Sequence, residues 1–249
     1  MSGHNKWTSI KHKKEKTDSQ KGKIFTKIGR EIAIAVREGG SADPSTNGKL
    51  RDVIAKAKAN NMPNDNINRS IKKASGEADG AAYKEVIYEG YAPGGVALIV
   101  EVVTDNLNRS ASDVRHIFDK NGGALGTSGS VTYMFDRKGV IEIDNVNDLD
   151  EEELMMMALD AGAADVDTGE GSAIVYTDPS EFSEVREKLE SMGISFFSAE
   201  RAMVPNNTIE VADADTVAKI QKLLDMLDDN DDVQNVYHNA ELPEDEEED

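Results

Sequence analysis

The chain has 249 residues, no cysteine, a formal net charge of −20, and an apolar content of 38% of which aromatics supply little. Without cysteine it forms neither disulfides nor thiolate nucleophiles nor cysteine-type zinc sites, and it fits a reducing compartment. The length suits two or three modest domains, and the longest apolar run, Val96 to Val103, contains Glu101 and is too short to cross a bilayer.

The charge is divided along the chain. Residues 1–75 hold 17 Lys and Arg against 7 Asp and Glu, whereas residues 76–249 hold 11 against 41. A basic head attracts polyanions, and an acidic trunk repels them and leaves the head as the landing surface. The first segment concentrates Lys6, Lys11, Lys13, Lys14, Lys16, Lys21 and Lys23 with the single tryptophan, Trp7. No apolar core follows these lysines, so a secretory signal is not expected. Trp7 either stacks on a base or anchors the arm.

Apolar residues at Ile24, Ile28, Ile32 and Val36 mark one face of a helix, which Gly39-Gly40 ends. Lys21, Lys23, Lys27 and Arg30 lie off that stripe. A second helix reads from about 47 to 60 with Leu50, Val53, Ile54 and Ala57 inward, and Asn61-Met62-Pro63 breaks it. A third starts near Asn64 and buries Ile67, Ile71 and Ala74. Together they make a three-helix bundle.

From Tyr83 the period changes. Residues 85–91 and 96–104 read as strands joined by Ala92-Pro93-Gly94-Gly95. Thr104-Asp105-Asn106 offers capping oxygens to a helix reaching about Asn121, and a strand is expected over Ser130 to Phe135. Residues 136–204 then read as a strand (140–143), a helix (148–161, with Leu154, Ala158 and Leu159 inward), a hairpin (164–167 and 172–177), a helix capped by Asp178, and a strand (194–199). That order, β-α-β-β-α-β, is ferredoxin-like. A strand at 208–211, a helix capped by Asp213, and a strand at 233–238 follow.

One helix and one or two strands cannot bury a core alone, so 80–135 is expected to pair with 205–239, with 136–204 inserted between. The fold class is therefore α+β: an N-terminal three-helix bundle (1–79) plus two α/β, ferredoxin-like domains, the last inserted into the middle one. Residues 240–249 are acidic and expected to be a disordered tail.

No catalytic constellation is evident. Gly122-Gly123-Ala124-Leu125-Gly126-Thr127-Ser128-Gly129 lacks the Gly-Lys-Ser/Thr ending of a phosphate loop and precedes a strand, so it reads as a helix stop followed by a flexible turn. His4 and His12 have no thiolates nearby, and His116 and His238 lack a Ser or Asp partner at a recognisable spacing. No metal, cofactor or enzymatic activity is expected. Asp105, Asn106, Asn108 and Arg109 sit at a strand-to-helix corner that is either a capping loop or a recognition corner. No helix stands out as a row of Arg, Asn or Gln for base edges, which points to weak sequence specificity.

With these residues in view, the chain resembles the YebC/PmpR family, whose mitochondrial relatives are translational activators. The resemblance rests on Gly3-His4-Asn5-Lys6-Trp7, Ile10-Lys11, Lys23-Ile24-Phe25, Arg30-Glu31-Ile32, Asn60-Asn61-Met62-Pro63, Tyr88-Glu89-Gly90-Tyr91, Thr104-Asp105-Asn106 with Asn108-Arg109, and Gly126-Thr127-Ser128-Gly129-Ser130-Val131. It implies three domains and a cytoplasmic, non-enzymatic, DNA-binding transcriptional regulator. It also admits ribosomal RNA and the ribosome as partners, since other members are associated with relief of stalled translation. The residues expected to bind nucleic acid are Lys6, Trp7, Lys11, Lys13, Lys14, Lys16, Lys21, Lys23, Lys27 and Arg30.

Overall fold

In a computed structural model of the chain, the described residues are 18–76, 83–144, 150–169 and 172–243. The four-residue apolar repeat folds as expected into α1 (Asp18–Gly39), followed by α2 (Gly48–Ala59) and α3 (Asn64–Ser75). Ile28, Ile32 and Val36 of α1 close on Leu50, Val53 and Ala57 of α2 and on Ile67 of α3. Asn47 fixes the entry to α2: its Oδ1 accepts from Leu50 N at 3.0 Å while its Nδ2 donates to the carbonyls of Ala35 and Ser41. A Cβ on Gly39 would collide with that Asn47 side chain, which is why the α1 terminus needs glycine.

The trunk has two four-stranded sheets. β1 (Lys84–Tyr91) and β2 (Ala97–Thr104) form an antiparallel hairpin, α4 (Leu107–Lys120) follows, and β3 (Ala124–Leu125) pairs back on β1. The chain then runs through β4 (Phe135–Asp144), α5 (Glu151–Ala161), β5 (Asp165–Gly169), β6 (Ser172–Thr177), α6 (Phe182–Ser191) and β7 (Ser198–Pro205). It ends with β8 (Ile209–Glu210), α7 (Ala214–Asp228), β9 (Val233–His238) and β10 (Ala240–Glu241). The first sheet has the order β3-β1-β2-β9 and the second β5-β6-β4-β7. α4 and α7 cover the first through Val114, Phe118, Ile220 and Leu224. α5 and α6 cover the second through Leu154, Ala158, Phe182 and Leu189.

The described chain falls into two compact units, one holding 18–76 and 137–202, the other 83–136 and 203–243. The mixed α and β class and the three-helix bundle are as the sequence predicts.

Several local expectations are corrected. Ser130 to Phe135 is not a strand: Thr132–Met134 is a 3-10 turn, and β4 begins only at Phe135. The short strand β3 lies upstream, within the stretch predicted as a helix stop and flexible turn. The last strand of the 136–204 segment starts at Ser198 and not at Ile194. Asp178 does not cap α6; it closes a turn on Ser180 N at 2.8 Å. Leu159 faces solvent at 52% exposure, because Leu154, Ala158 and Ala161 already fill the inward side of α5. Ala240 is buried and Ala240–Glu241 pairs in parallel with β8, so a tail beginning at 240 starts too early.

Candidate nucleic-acid interface

Of the residues expected to touch nucleic acid, Lys6, Trp7, Lys11, Lys13, Lys14 and Lys16 lie outside the described residues. Lys21, Lys23, Lys27 and Arg30 lie on α1, the first exposed and the other three half-buried beside the apolar stripe.

The cations of α2 are largely committed within the protein. Lys56 Nζ donates to both carboxylate oxygens of Glu31, at 2.7 and 3.0 Å, and Lys49 pairs with Glu38. Arg51 meets Glu187 at 3.4 Å. Asp52 does the reverse, an acid of the basic head answering arginines of the acidic trunk. Its oxygens accept from Arg186 Nη1 at 3.0 Å, Arg201 Nη1 at 2.7 Å and Ser183 Oγ at 2.7 Å. Arg201 is held further by Pro179 O and lies 4.9 Å from the Phe182 ring centre. The separation of a cationic head from an anionic trunk is therefore broken at this joint, where the signs are exchanged.

α3 is arranged differently. Ile67 is buried and Ile71 half-buried, while Asn64, Asn68, Arg69, Lys72 and Lys73 are exposed. Asn64, Asn68 and Lys72 recur every four residues and so share one face of the helix. Among the described residues, none of Arg69, Lys72, Lys73 and Lys58 of α2 forms an ion pair. The polar positions flanking Ile67 and Ile71 thus bring amides and cations together on one short helix. Between α2 and α3 lies a groove of about 510 Å³.

The corner 104–109 is a built structure. Asn106 caps α4 by accepting from Arg109 N at 3.1 Å. Arg109 Nη2 donates to Asp232 at 2.8 Å and to Asp105 at 2.7 Å, and Thr104 Oγ1 donates to the same Asp232 oxygen at 2.9 Å. Hydrogen bonds to Asp232 first, then to Asp105, hold the guanidinium still more firmly protonated than usual. Asn108 beside them is exposed, and the arginine is engaged by carboxylates of the protein itself. Asp232, more than a hundred residues away in sequence, carries no local signal that could have revealed it.

Gly126-Thr127-Ser128-Gly129 is not a flexible turn. The buried Glu89 carboxylate accepts from Gly129 N at 2.6 Å and from Val131 N and Thr132 N at 2.8 Å each. Burial alone would raise its pKa; the three backbone bonds outweigh that and hold it below the ordinary value. The loop's N–H groups thus surround a carboxylate of the protein itself, where a phosphate loop would present them to a ligand. Among the described residues, no cluster of three or more His, Asp or Glu is placed to hold a metal ion, and no helix is long and apolar enough to cross a membrane.

Comparison with known proteins places these features in context. The profile described as TACO1/YebC protein N-terminal domain matches residues 5–77, and the one described as TACO1/YebC second and third domain matches residues 83–240. A "probable transcriptional regulatory protein" of Clostridium novyi is 58% identical over 244 residues, covering 98% of each chain. Another so named, from Acetivibrio thermocellus, is 59% identical over 239 residues, covering 96% of this chain and 98% of its own. The crystal structure of a conserved hypothetical protein from Aquifex aeolicus superposes with a TM-score of 0.85 at 48% identity, over 98% of this chain and 100% of that one.

Proposed function

The chain belongs to the TACO1/YebC family, and from that premise we propose that it is a non-enzymatic, nucleic-acid-binding regulator, acting on DNA in transcription. Its relatives named as probable transcriptional regulatory proteins support the regulatory reading. The observation that carries the nucleic-acid reading is the charge division, 17 basic against 7 acidic residues in the first 75 and the reverse beyond them. In this reading residues 1–79 are the binding domain, with Lys21, Lys23, Lys27 and Arg30 continuing the lysines of the arm. The segments 80–135 with 205–239, and 136–204, form the trunk. Lysines on phosphates release counterions, so affinity falls steeply with salt.

The acidic trunk favours a second reading, because a duplex cannot be wrapped by a surface that repels it. A ribosome-associated factor that places only its head against ribosomal RNA meets the same charge pattern. Sedimentation of cytoplasmic extract through a sucrose gradient separates the two. Recovery with DNA fragments, lost on DNase treatment, supports the transcriptional reading. Co-migration with ribosomes that survives DNase supports the translational one, and migration as free protein under low salt refutes both.

A further inference from the structure

Resting on the nucleic-acid reading but locating it away from the arm, we infer that the groove between α2 and α3 is a seat for unpaired nucleotides of a single-stranded nucleic acid. The groove, about 510 Å³, is large enough to admit a nucleotide. Its floor is apolar, formed by Ile54, Ile67 and Ile71, and a base face is the part of a polynucleotide that gains from covering such a surface. Its flank carries the side-chain amides of Asn64 and Asn68, each offering two N–H donors and a carbonyl acceptor, the pattern that matches a base edge. Its rim carries Lys58 and Lys72, and Arg69 and Lys73 extend the positive charge along α3.

Charge selects the occupant. Lys49, Arg51 and Lys56 of α2 are all met by carboxylates of this protein, while Lys58, Arg69, Lys72 and Lys73 face outward without an ion pair among the described residues. Asp65 is the single acid on α3. A polyanion supplies the missing counter-charges, and the apolar floor asks for an exposed base beside them. An intact duplex buries its base faces in stacking and offers only its backbone here, so the groove suits unpaired segments of DNA or RNA. The amides assign the base contact to Asn64 and Asn68, and the phosphate contacts to Lys58 and Lys72.

The test is fluorescence anisotropy with labelled 12-nucleotide homopolymers of DNA and of RNA and with a 12-base-pair duplex, titrated with the full chain over a salt series. Wild type is expected to bind single strands more tightly than the duplex. Lys58→Gln/Lys72→Gln should weaken every single strand about tenfold or more at low salt. It should also lower the salt slope by about 1.4, from about 0.7 for each lost phosphate contact. Asn64→Ala/Asn68→Ala should leave that slope unchanged and reduce the preference among homopolymers about fivefold or more. All four side chains are exposed, so circular dichroism should show an unchanged fold. If wild type binds neither single strands nor duplex, the nucleic-acid reading itself fails and the groove falls with it. If wild type binds but both groove variants bind as wild type while Lys21→Gln/Lys23→Gln loses affinity, the nucleic-acid reading stands and the groove assignment is overturned. Preference for the duplex, kept in both groove variants, overturns it equally. Stronger binding to DNA or to RNA homopolymers identifies which of the two the groove takes.

Discussion

Replacing Asp52 by alanine probes the joint between α2 and the α6–β7 region most sharply. Asp52 and Arg186 are nearly enclosed, with side chains 10% and 5% exposed, whereas Arg201 remains 31% exposed. Removing Asp52 leaves the buried Arg186 with only a 3.4 Å contact to the exposed Glu187, and breaking such a buried pair costs about 3–5 kcal/mol. The more exposed Arg201 adds little, because water screens it. Asp52→Asn keeps the shape and one acceptor oxygen but not the negative charge, so the guanidinium stays unneutralised and the loss should be only partly smaller than in Asp52→Ala. Adding Arg186→Met to Asp52→Ala removes the stranded guanidinium, and the double variant should recover at least half of the single variant's loss. Amide hydrogen exchange of α2 and α6 reads the result locally. A loss of about 3–5 kcal/mol accelerates exchange by roughly two to three and a half powers of ten. Acceleration under tenfold in Asp52→Ala, or losses that simply add in the double variant, would refute the argument that the carboxylate neutralises a buried charge.

Glu89 sets a pH dependence. Its folded-state pKa lies below the ordinary 4.5, so it stabilises the 126–132 loop above that value, and the contribution is lost as pH falls through the depressed one. Protection of the Gly129, Val131 and Thr132 amides should therefore decline in acid. In Glu89→Gln they should exchange faster already at neutral pH, with a flattened acid dependence; equal slopes in both proteins would contradict the assignment. Gly90→Ala should destabilise the first sheet by about 1–3 kcal/mol, because the new Cβ would lie 2.6 Å from Ala124 O and 2.7 Å from Phe118 Cε1; urea denaturation measures it, and a neutral result would disprove that packing. Leu159→Gln should change stability by no more than about 0.5 kcal/mol, whereas Leu154→Ala on the same helix should cost about 2–5 kcal/mol. The reverse order would show that α5 is turned the other way.

Where one physical cause dominates locally, the sequence was a sufficient guide. The Ile24-Ile28-Ile32-Val36 repeat, the Asn106 and Asp213 caps, and the strand Val233–His238 all appear where predicted. Misreadings fall where distant partners override local preference. Val131 and Thr132 are good strand formers, yet their N–H groups are taken by Glu89 from another part of the chain and cannot join a ladder. α5 is apolar at every position from Leu154 to Leu159, so its periodicity could not say which leucine faces in. At the candidate sites, the composition of the corner was legible, but its pairing with Asp232 was not. The amides and cations of α3 were visible as letters, but their emergence on one open groove depends on where α2 and α3 meet.

The central claim, that nucleic acid is met by the head and not the trunk, is tested most directly by ultraviolet cross-linking of the full chain to bound nucleic acid, followed by peptide mapping. Cross-linked peptides drawn from residues 1–76 are the predicted result; cross-links confined to residues 83–243 would contradict it.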